Sequence, residues 1–572
     1  MSRAVEVLTE IVREGFERAG YTDLPAPVEQ VVASKRAGTG DYQSNACFRL
    51  GKALKSNPRA VADAVVANLP AHPALDRAEV AGPGFVNLYL SDAWLGEELA
   101  RVCADEHFGI AQSEGTVVID YSSPNVAKRM HVAHLRSTVI GNALDRLYRA
   151  AGHRVIADNH IGDWGTQFGK LMVAWRRWLD EAAFEADPIG ELQRIYVLFA
   201  TEAESNPGLE DEAREETAKL QAGDEANIEL WKRFINVSMV EFNSLYERLG
   251  VHFDVTLGES FYNDQLGPLV DDLLERGVAV RSEGAAIIPF EAADGKGLDD
   301  TPMLVQKRDG AALYATTDLA TVRYRLDEWA PTSIVYVTDT RQQLHFRQLF
   351  AACNKIGWGG TEFVHVWFGL LSLPGGAMST RKGNVINLKD LLDEAARRAR
   401  AVVDAKAPHL SEEERAEIAE AVGVGAVRYA DLSQNPQSNV VFDWDKMLSL
   451  EGNTAPYLMY TYARCRSIQR KGGVENPEVT PFAVDGEHER NLAIALLRFP
   501  EAISLAISNS RPNMLCDYLY SLASTFNRFY YEVPVLKASD EERERRLSLI
   551  EATARTMGRG LDLLGVRPLE RM

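Results

Sequence analysis

Asp120-Tyr121-Ser122-Ser123-Pro124-Asn125-Val126-Ala127-Lys128-Arg129-Met130-His131-Val132-Ala133-His134-Leu135-Arg136-Ser137-Thr138 is the stretch from which the fold can be read. Upstream of it the apolar run Thr116 to Ile119 reads as a buried strand, Pro124 breaks that strand, and from Met130 the apolar spacing takes a helical period. Strand, polar turn and helix in this order make the shape of a binding site. The turn holds an amide, Asn125, an ammonium, Lys128, and two imidazoles, His131 and His134, where free backbone N–H groups and the helix dipole favour anions. His131 and His134 stand three apart, so on a helix they share a face and could converge on one phosphate. Such a pair serves equally as caps, as packing residues or as half of a metal site.

Working outward, a helix is expected from Ile140 to Ala151, and Arg154 to Asp158 reads as the next parallel strand. This is a βαβ unit with the motif at its first crossover, where doubly wound folds bind ligands. Gly162, Gly165 and Gly169 follow, a spacing that suits close approach of backbone to ligand and is also common in connecting loops. Residues 171 to about 300 read as a helical, acidic insertion, with strands near Ala285 to Phe290. Beyond it, Tyr314 and Asp318 share a face if a helix starts there, with Thr317 as its cap. Ser333 to Val337 is a strand, and the loop Asp339 to His345 brings Gln342 and His345 to its C-terminal edge. Trp367 to Leu371 reads as another strand, Met378 to Asn384 as a basic loop, and the chain from Ala401 onward as helical.

The N-terminal segment opens with an amphipathic helix through Val5, Leu8, Ile11, Val12 and Phe16. It closes with Gly82-Pro83-Gly84, a tight turn, and a strand presenting Phe85, Asn87 and Tyr89 on one face. Near the other end, Tyr457, Tyr460 and Arg464 follow i, i+3, i+7, a stripe able to stack on unpaired bases, although aromatic stripes of this kind are commonly core.

At 572 residues the chain should divide into roughly three or four domains. No apolar run is long enough to span a bilayer, and residues 1–19 alternate charge with apolar positions, unlike a secretory signal, so a cytoplasmic location is expected. The five cysteines lie far apart without Cys-x-x-Cys, which predicts neither a zinc knuckle nor a disulfide framework. A net charge of −20 speaks against a nucleic-acid partner. The acidity is local, however: residues 181–230 hold 3 basic against 14 acidic side chains, whereas Glu451 to Met572 balances 16 against 16.

The first motif resembles the first signature of class I aminoacyl-tRNA synthetases in the form typical of arginine–tRNA ligases, with Ala133 where the family has Gly between the histidines. Ile161 to Gly169, the Tyr314 segment, the opening of the last helical region and the terminal Pro568-Leu569-Glu570-Arg571-Met572 resemble the same family, so the likeness runs through nearly the whole chain. Met378-Ser379-Thr380-Arg381-Lys382 resembles a degenerate second signature in which Ala377 and Thr380 replace both lysines.

The resemblance implies a multidomain α/β protein. A doubly wound, Rossmann-like catalytic domain (111–180 and 301–400) carries a helical insertion (181–300). An α+β N-terminal domain (1–110) recognises the tRNA elbow, and a helical connector (401–450) leads to an all-α anticodon-binding domain (451–572). It implies ATP with Mg2+, L-arginine and tRNA(Arg) as substrates, no protein-bound metal and a monomer. His131, His134, Lys128, Arg381 and Lys382 would be catalytic. Those histidines and Lys128, with Gly162, Gly165, His345, Met378 and Ser379, would bind ATP. Asp120, Ser122, Asn125, Tyr314, Asp318 and Gln342 would bind arginine; Phe85, Asn87, Tyr457, Tyr460, Arg464 and Met572 would bind tRNA. Lys128 would supply the charge lost from the second signature. The altered signatures leave two rivals open: a ligase for another amino acid, and an RNA-binding relative without catalysis.

Overall fold

The computed structural model describes residues 2–22, 31–34, 38–53, 55–373, 376–377 and 387–572. They form two compact units, one of Met1–Gln112 with Ser449–Leu563 and Arg567–Met572, the other of Ser113–Leu448 with Leu564–Val566.

In the first unit β1 (Val31–Ala33), β2 (Tyr42–Ser44), β3 (Leu75–Ala81) and β4 (Phe85–Leu90) form an antiparallel sheet in the order β1-β2-β4-β3. Val86, Leu88 and Leu90 are buried on one face; on the other Phe85 and Tyr89 are half-buried and Asn87 between them is buried at 3% exposure. The expected first helix is Arg3–Arg18, capped by the Ser2 hydroxyl and burying Val5, Leu8, Ile11, Val12 and Phe16. Helices Ala455–Lys471, Glu487–Leu497, Phe499–Ser508, Asn513–Glu532 and Asp540–Leu563 complete the unit. A Cβ on Gly96 would lie 1.8 Å from the Phe482 carbonyl oxygen, so the backbone of helix Asp92–Ala104 touches the 482 segment directly. Glu487–Ser508 is, among the described residues, long and apolar enough to cross a membrane by length and composition; it is two helices, and 56% of its most apolar window is buried inside the protein.

The second unit is built on a parallel sheet of β5 (Thr116–Asp120), β6 (Arg154–Asp158), β10 (Ser333–Asp339) and β11 (Glu362–Phe368), in the order β11-β10-β5-β6. Between β6 and β10 come β7 (Val280–Ser282), β8 (Ala285–Ile288) and β9 (Met303–Gln306), a small antiparallel sheet. β12 (Leu371–Leu373) pairs with β13 (Gly376–Ala377) and with β14 (Val440–Val441), a short strand inside the region expected to be wholly helical. Val117, Val118 and Ile119 are buried in β5, the near-continuous apolar run of a strand covered on both faces. The chain leaves β5 toward β6 and returns to β10 on the opposite side, so the topological switch point lies between β5 and β10. The insertion is helical, and Phe168, Leu171, Leu192, Phe199, Leu209 and Phe234 share its core.

Several local expectations shift. The helical period read from Met130 and the helix expected over Ile140–Ala151 are one helix, Val132–Ala150, with Arg136, Ser137 and Thr138 buried between them. Helix Tyr314–Trp329 is capped by Thr316, whose hydroxyl accepts from the Leu313 N–H at 3.3 Å, while Thr317 donates back to the Leu313 carbonyl. Residues 339–345 are not one loop: Thr340–Gln342 is a 3₁₀ turn, and His345 lies in helix Gln343–Ile356. The strand expected over Trp367–Leu371 breaks at Gly369, where a Cβ would lie 2.6 Å from the Ser438 carbonyl oxygen. All five cysteines are buried, and none is joined in a disulfide.

Candidate functional site

The turn after β5 holds three non-glycine residues at positive φ, Ser122 (72°), Ser123 (47°) and Ala127 (61°). Such strain persists only where neighbours over-determine it. The Ser122 N–H donates to Ser137 Oγ at 2.9 Å, and Ser137 donates to the Val337 carbonyl at 2.6 Å. The Ser123 N–H donates to Asn159 Oδ1 (3.1 Å) and the Ala127 N–H to Ser238 Oγ (2.9 Å). Asn125 bridges to Gly162, and the Val126 and Gly162 N–H groups donate to Gly162 and Pro124 carbonyls at 3.1 Å each. A Cβ on Gly162 would lie 2.2 Å from Asn125 Oδ1, which is why glycine stands there. Gly165 (φ 122°) precedes the first residue of helix Thr166–Trp178, with open space about its Cβ position.

His131 caps the next helix, and His134 occupies its first turn. His131 Nδ1 accepts from the Ala133 N–H at 3.3 Å and His134 Nδ1 from the His131 N–H at 3.1 Å, with the rings 4.0 Å apart. Because both Nδ1 atoms accept, each neutral ring carries its proton on Nε2 and offers a donor. Burial lowers both pKa values, that of His134 to about 3 with His131 adding to the shift, so the pair is neutral near pH 7. Lys128 stands beside them, its Nζ 5.2 Å over the Tyr196 ring and without an ion-pair partner among the described residues; burial lowers its pKa. Ala133 is exposed.

A second group of charges faces the same sheet edge. Asp318 and His345 share a hydrogen bond of 2.6 Å. Burial disfavours the His345 imidazolium, yet the hydrogen bond and charge of Asp318 hold its pKa above the usual value. Glu259 is pushed up to about 8, first by burial and then by the carboxylates of Asp163 and Asp318. Desolvation, and after it the charge of Glu259, raise the pKa of Tyr314, a residue 73% exposed. Ser260 donates to Asp163 through its N–H (2.8 Å) and hydroxyl (2.6 Å). Buried Asp163 and half-buried Glu259 and Asp318, with a phenol at their rim, form a group of carboxylates of the kind that can receive a cation, and planar carboxylates favour a guanidinium. Gln342 is exposed at the end of the 3₁₀ turn after β10.

Two expected pocket residues have other work. Asp120 Oδ2 receives Arg325 Nη2 at 2.6 Å, and Ser122 is 5% exposed with its hydroxyl bonded to those of Tyr246 and Thr138, each at 2.8 Å. The expectation that Asp120 and Ser122 offer side chains to a substrate is therefore revised: one is paired to the protein's own guanidinium, the other braces the turn. Met378, Ser379, Arg381 and Lys382 lie outside the described residues. Among the described residues no group of three or more His, Cys, Asp or Glu could hold a metal ion.

In the other unit, Phe85 packs edge-on against Phe48 with ring centroids 4.8 Å apart, and the Asn87 amide oxygen accepts from Gln43 Nε2 at 2.7 Å. The Tyr457, Tyr460 and Arg464 stripe is at the surface: Tyr460 is 39% exposed, and Arg464 sits 4.7 Å over its ring and 5.8 Å from that of Tyr530. Asn527 ties the stripe together, accepting from Arg464 at 2.5 Å and donating to Tyr457 at 2.9 Å. Tyr531, the residue after Tyr530, is 86% exposed. The C-terminal segment before Met572 returns to the same helix, with Tyr462 donating to Glu570 at 2.9 Å.

Glu259, Asp163, Arg325 and Arg341 escaped the sequence reading. Arg341, bound to Asp339, is near enough for its charge to lower the pKa of His131. Arg325 was discoverable, because it stands two helical turns beyond Asp318 and so shares its face. Glu259 lies far along the chain from Asp163 and Asp318, and no local period could connect them.

Comparison with known proteins matches three parts of the chain. Residues 6–90 fit the arginyl tRNA synthetase N terminal domain, 100–444 the catalytic domain of tRNA synthetases class I (R), and 458–572 the DALR anticodon binding domain. The arginine–tRNA ligase of Fusobacterium nucleatum is 47% identical over 571 residues, 99% of each chain, and that of Thermobifida fusca is 43% identical, covering 93% of this chain and 94% of its own. The arginyl-tRNA synthetase structure from Thermus thermophilus superposes with a TM-score of 0.84 at 26% identity, over 99% of this chain and all of its own.

Proposed function

The chain belongs to the arginine–tRNA ligase family, and from that premise we propose how its residues divide the work of joining L-arginine to tRNA(Arg) at the expense of ATP. In the first step the arginine carboxylate attacks the α-phosphorus and pyrophosphate leaves; in the second a ribose hydroxyl of the terminal adenosine takes the arginyl group. Neither step needs an enzyme nucleophile, so catalysis is positioning and charge stabilisation.

The observation that carries the reading is the pair of neutral imidazoles, His131 and His134, whose Nδ1 atoms are occupied by backbone N–H groups. Their Nε2–H donors suit the phosphate oxygens of ATP, which binds with Mg2+ and against Gly162 and Gly165. Lys128 supplies the cation for the departing pyrophosphate, with Arg341 as its neighbour and Arg381, Lys382, Met378 and Ser379 from the second signature. Asp318, Glu259 and Tyr314 receive the guanidinium of arginine, Asn125 and Gln342 its amino-acid head group. His345 orients Asp318, which replaces the expected contact of His345 with ATP. Phe85 and Asn87 meet the tRNA elbow; Tyr457, Tyr460, Arg464 and Met572 meet the anticodon, joined by Tyr530 and Tyr531. The division into domains at about 110, 180, 300, 400 and 450 follows the same reading, as do a monomer and a cytoplasmic location.

The deciding experiment is arginine-dependent ATP–pyrophosphate exchange with and without tRNA(Arg). Exchange only in the presence of tRNA supports both the residue roles and activation gated by tRNA. Exchange equal in both conditions overturns the gating, and none in either, with folded protein and chargeable tRNA, overturns the roles given to the altered signatures.

A further inference from the structure

Within the first unit a cavity of about 650 Å³ lies between the end of β4 and helices Glu487–Leu497 and Asn513–Glu532. Its walls carry four guanidinium groups, Arg77, Arg490, Arg498 and Arg528, against the carboxylates Asp41 and Glu487. In a chain of net charge −20 that is a local reversal of sign. Asp41 is already engaged: Oδ2 accepts from the Leu90 N–H at 2.7 Å and from Arg490 at 2.5 Å, and its carbonyl accepts from Arg498 at 2.6 Å. Arg498 Nε is buried and has no acceptor among the described residues. Arg528, exposed on its helix, has no hydrogen-bond or ion-pair partner among the described residues. Arg77 lies 3.7 Å over the Tyr89 ring, and its pairs with Asp76 and Glu79 are exposed, hence weak. Arg490 is spent on Asp41, Asp92 and the Leu90 carbonyl, which leaves the fork of Arg528 and the Nε of Arg498 beside an open space of this size, donors that match phosphoryl oxygens.

The source of the phosphate follows from β4. Tyr89, which lines the cavity, is the next residue after Asn87 on the sheet face that carries Phe85, about 7 Å further along the strand. A single strand thus runs from a base-stacking face to a cationic hollow. We propose that this cavity binds a backbone phosphate of tRNA, flanking the base held by Phe85 and Asn87, with Arg528 as the cation it meets; the inference rests on the reading of Phe85 and Asn87 as RNA contacts. Phosphate contacts fix register without reading sequence, so the cavity positions the elbow while the β4 face identifies it.

The test uses full-length protein and tRNA(Arg), with dissociation constants measured from 50 to 200 mM salt for wild type, Arg528→Gln, Arg528→Lys and Phe85→Ala. Arg528→Gln is expected to weaken binding about tenfold at low salt and to reduce the slope of log affinity against log salt by about one, the loss of one phosphate contact. Arg528→Lys, which keeps the charge, retains the wild-type slope. Phe85→Ala weakens binding with the slope unchanged. Wild-type affinity and slope for Arg528→Gln, with Phe85→Ala weakened, overturns the phosphate site and leaves the β4 reading standing. A lost slope for Arg528→Gln with normal Phe85→Ala supports the phosphate site and removes the base contact beside it. Wild-type behaviour of both overturns both.

Discussion

Arg325 brings Nη2 to 2.6 Å from Asp120 Oδ2, and the same atom lies 2.7 Å from Asp158 Oδ2, so one buried guanidinium bridges the carboxylates that end two neighbouring strands. Two adjacent carboxylates at the edge of a sheet repel each other unless a cation stands between them. Arg325→Gln removes that cation and is expected to destabilise the protein by about 3–5 kcal/mol, measured as the loss in denaturant unfolding free energy of the catalytic unit. Asp120→Asn should alter arginine affinity little, whereas Asp318→Asn should weaken it at least about tenfold, roughly 1.4 kcal/mol. Equal losses in the two variants would return Asp120 to the arginine pocket.

Glu259 carries a proton below about pH 8 because burial and the nearby Asp163 and Asp318 oppose its charge. A guanidinium is attracted only by the carboxylate form, so arginine must displace that proton at lower pH. Arginine affinity measured by calorimetry is expected to rise between pH 6 and 8 by up to about tenfold per unit, with proton release, and to level off above 8. Stability runs the other way. The folded-state value is raised above the unfolded one, so the contribution is complete below pH 4.5 and is lost as pH rises to about 8. Glu259→Gln should abolish the pH dependence of arginine binding and raise the melting midpoint of the free enzyme relative to wild type across pH 5 to 8.

Lys128 is half-buried, carries no carboxylate partner among the described residues and lies close enough for its charge to depress both histidines. Lys128→Ala is expected to slow adenylate formation at least about tenfold, roughly 1.4 kcal/mol of transition-state stabilisation. The check is pyrophosphate exchange at saturating tRNA, and a near-normal rate would assign the cation to Arg341 or to the second signature.

At Gly162 the added methyl of Gly162→Ala would meet Asn125 Oδ1 at 2.2 Å. The variant should lose about 1–3 kcal/mol of stability and show a raised KM for arginine as the Asn125 amide is pushed aside. Trimming the clash in Gly162→Ala/Asn125→Ala should restore the melting midpoint without restoring KM. If the double variant stays unstable, the strain lies in the backbone bridge between the two loops.

The strand, turn and helix of the first motif were legible because their signals are local: apolar runs, a proline, charges at helical spacing. The insertion and the C-terminal helices were legible for the same reason. That the motif's helix runs unbroken from Val132 to Ala150 was not, since Arg136 in its middle is buried through bonds to Asp431 (2.7 Å) and the Gly369 carbonyl (2.7 Å), partners that lie hundreds of residues away. Thr316 rather than Thr317 caps the Tyr314 helix because only the rotation of the turn decides which hydroxyl faces the free N–H.

The sequence by itself determined the order of elements, the family and the reaction, since these rest on short-range periodicity and on contiguous motifs. Only the tertiary structure decided which carboxylates are available. Asp120 and Asp318 look alike along the chain, yet one is held by the buried guanidinium of Arg325 and the other by the half-buried imidazole of His345, close enough to Glu259 to raise its pKa. Charge pairing depends on distance and burial, and neither is encoded by the spacing of residues that meet only when β5, β6 and helix Tyr314–Trp329 pack together.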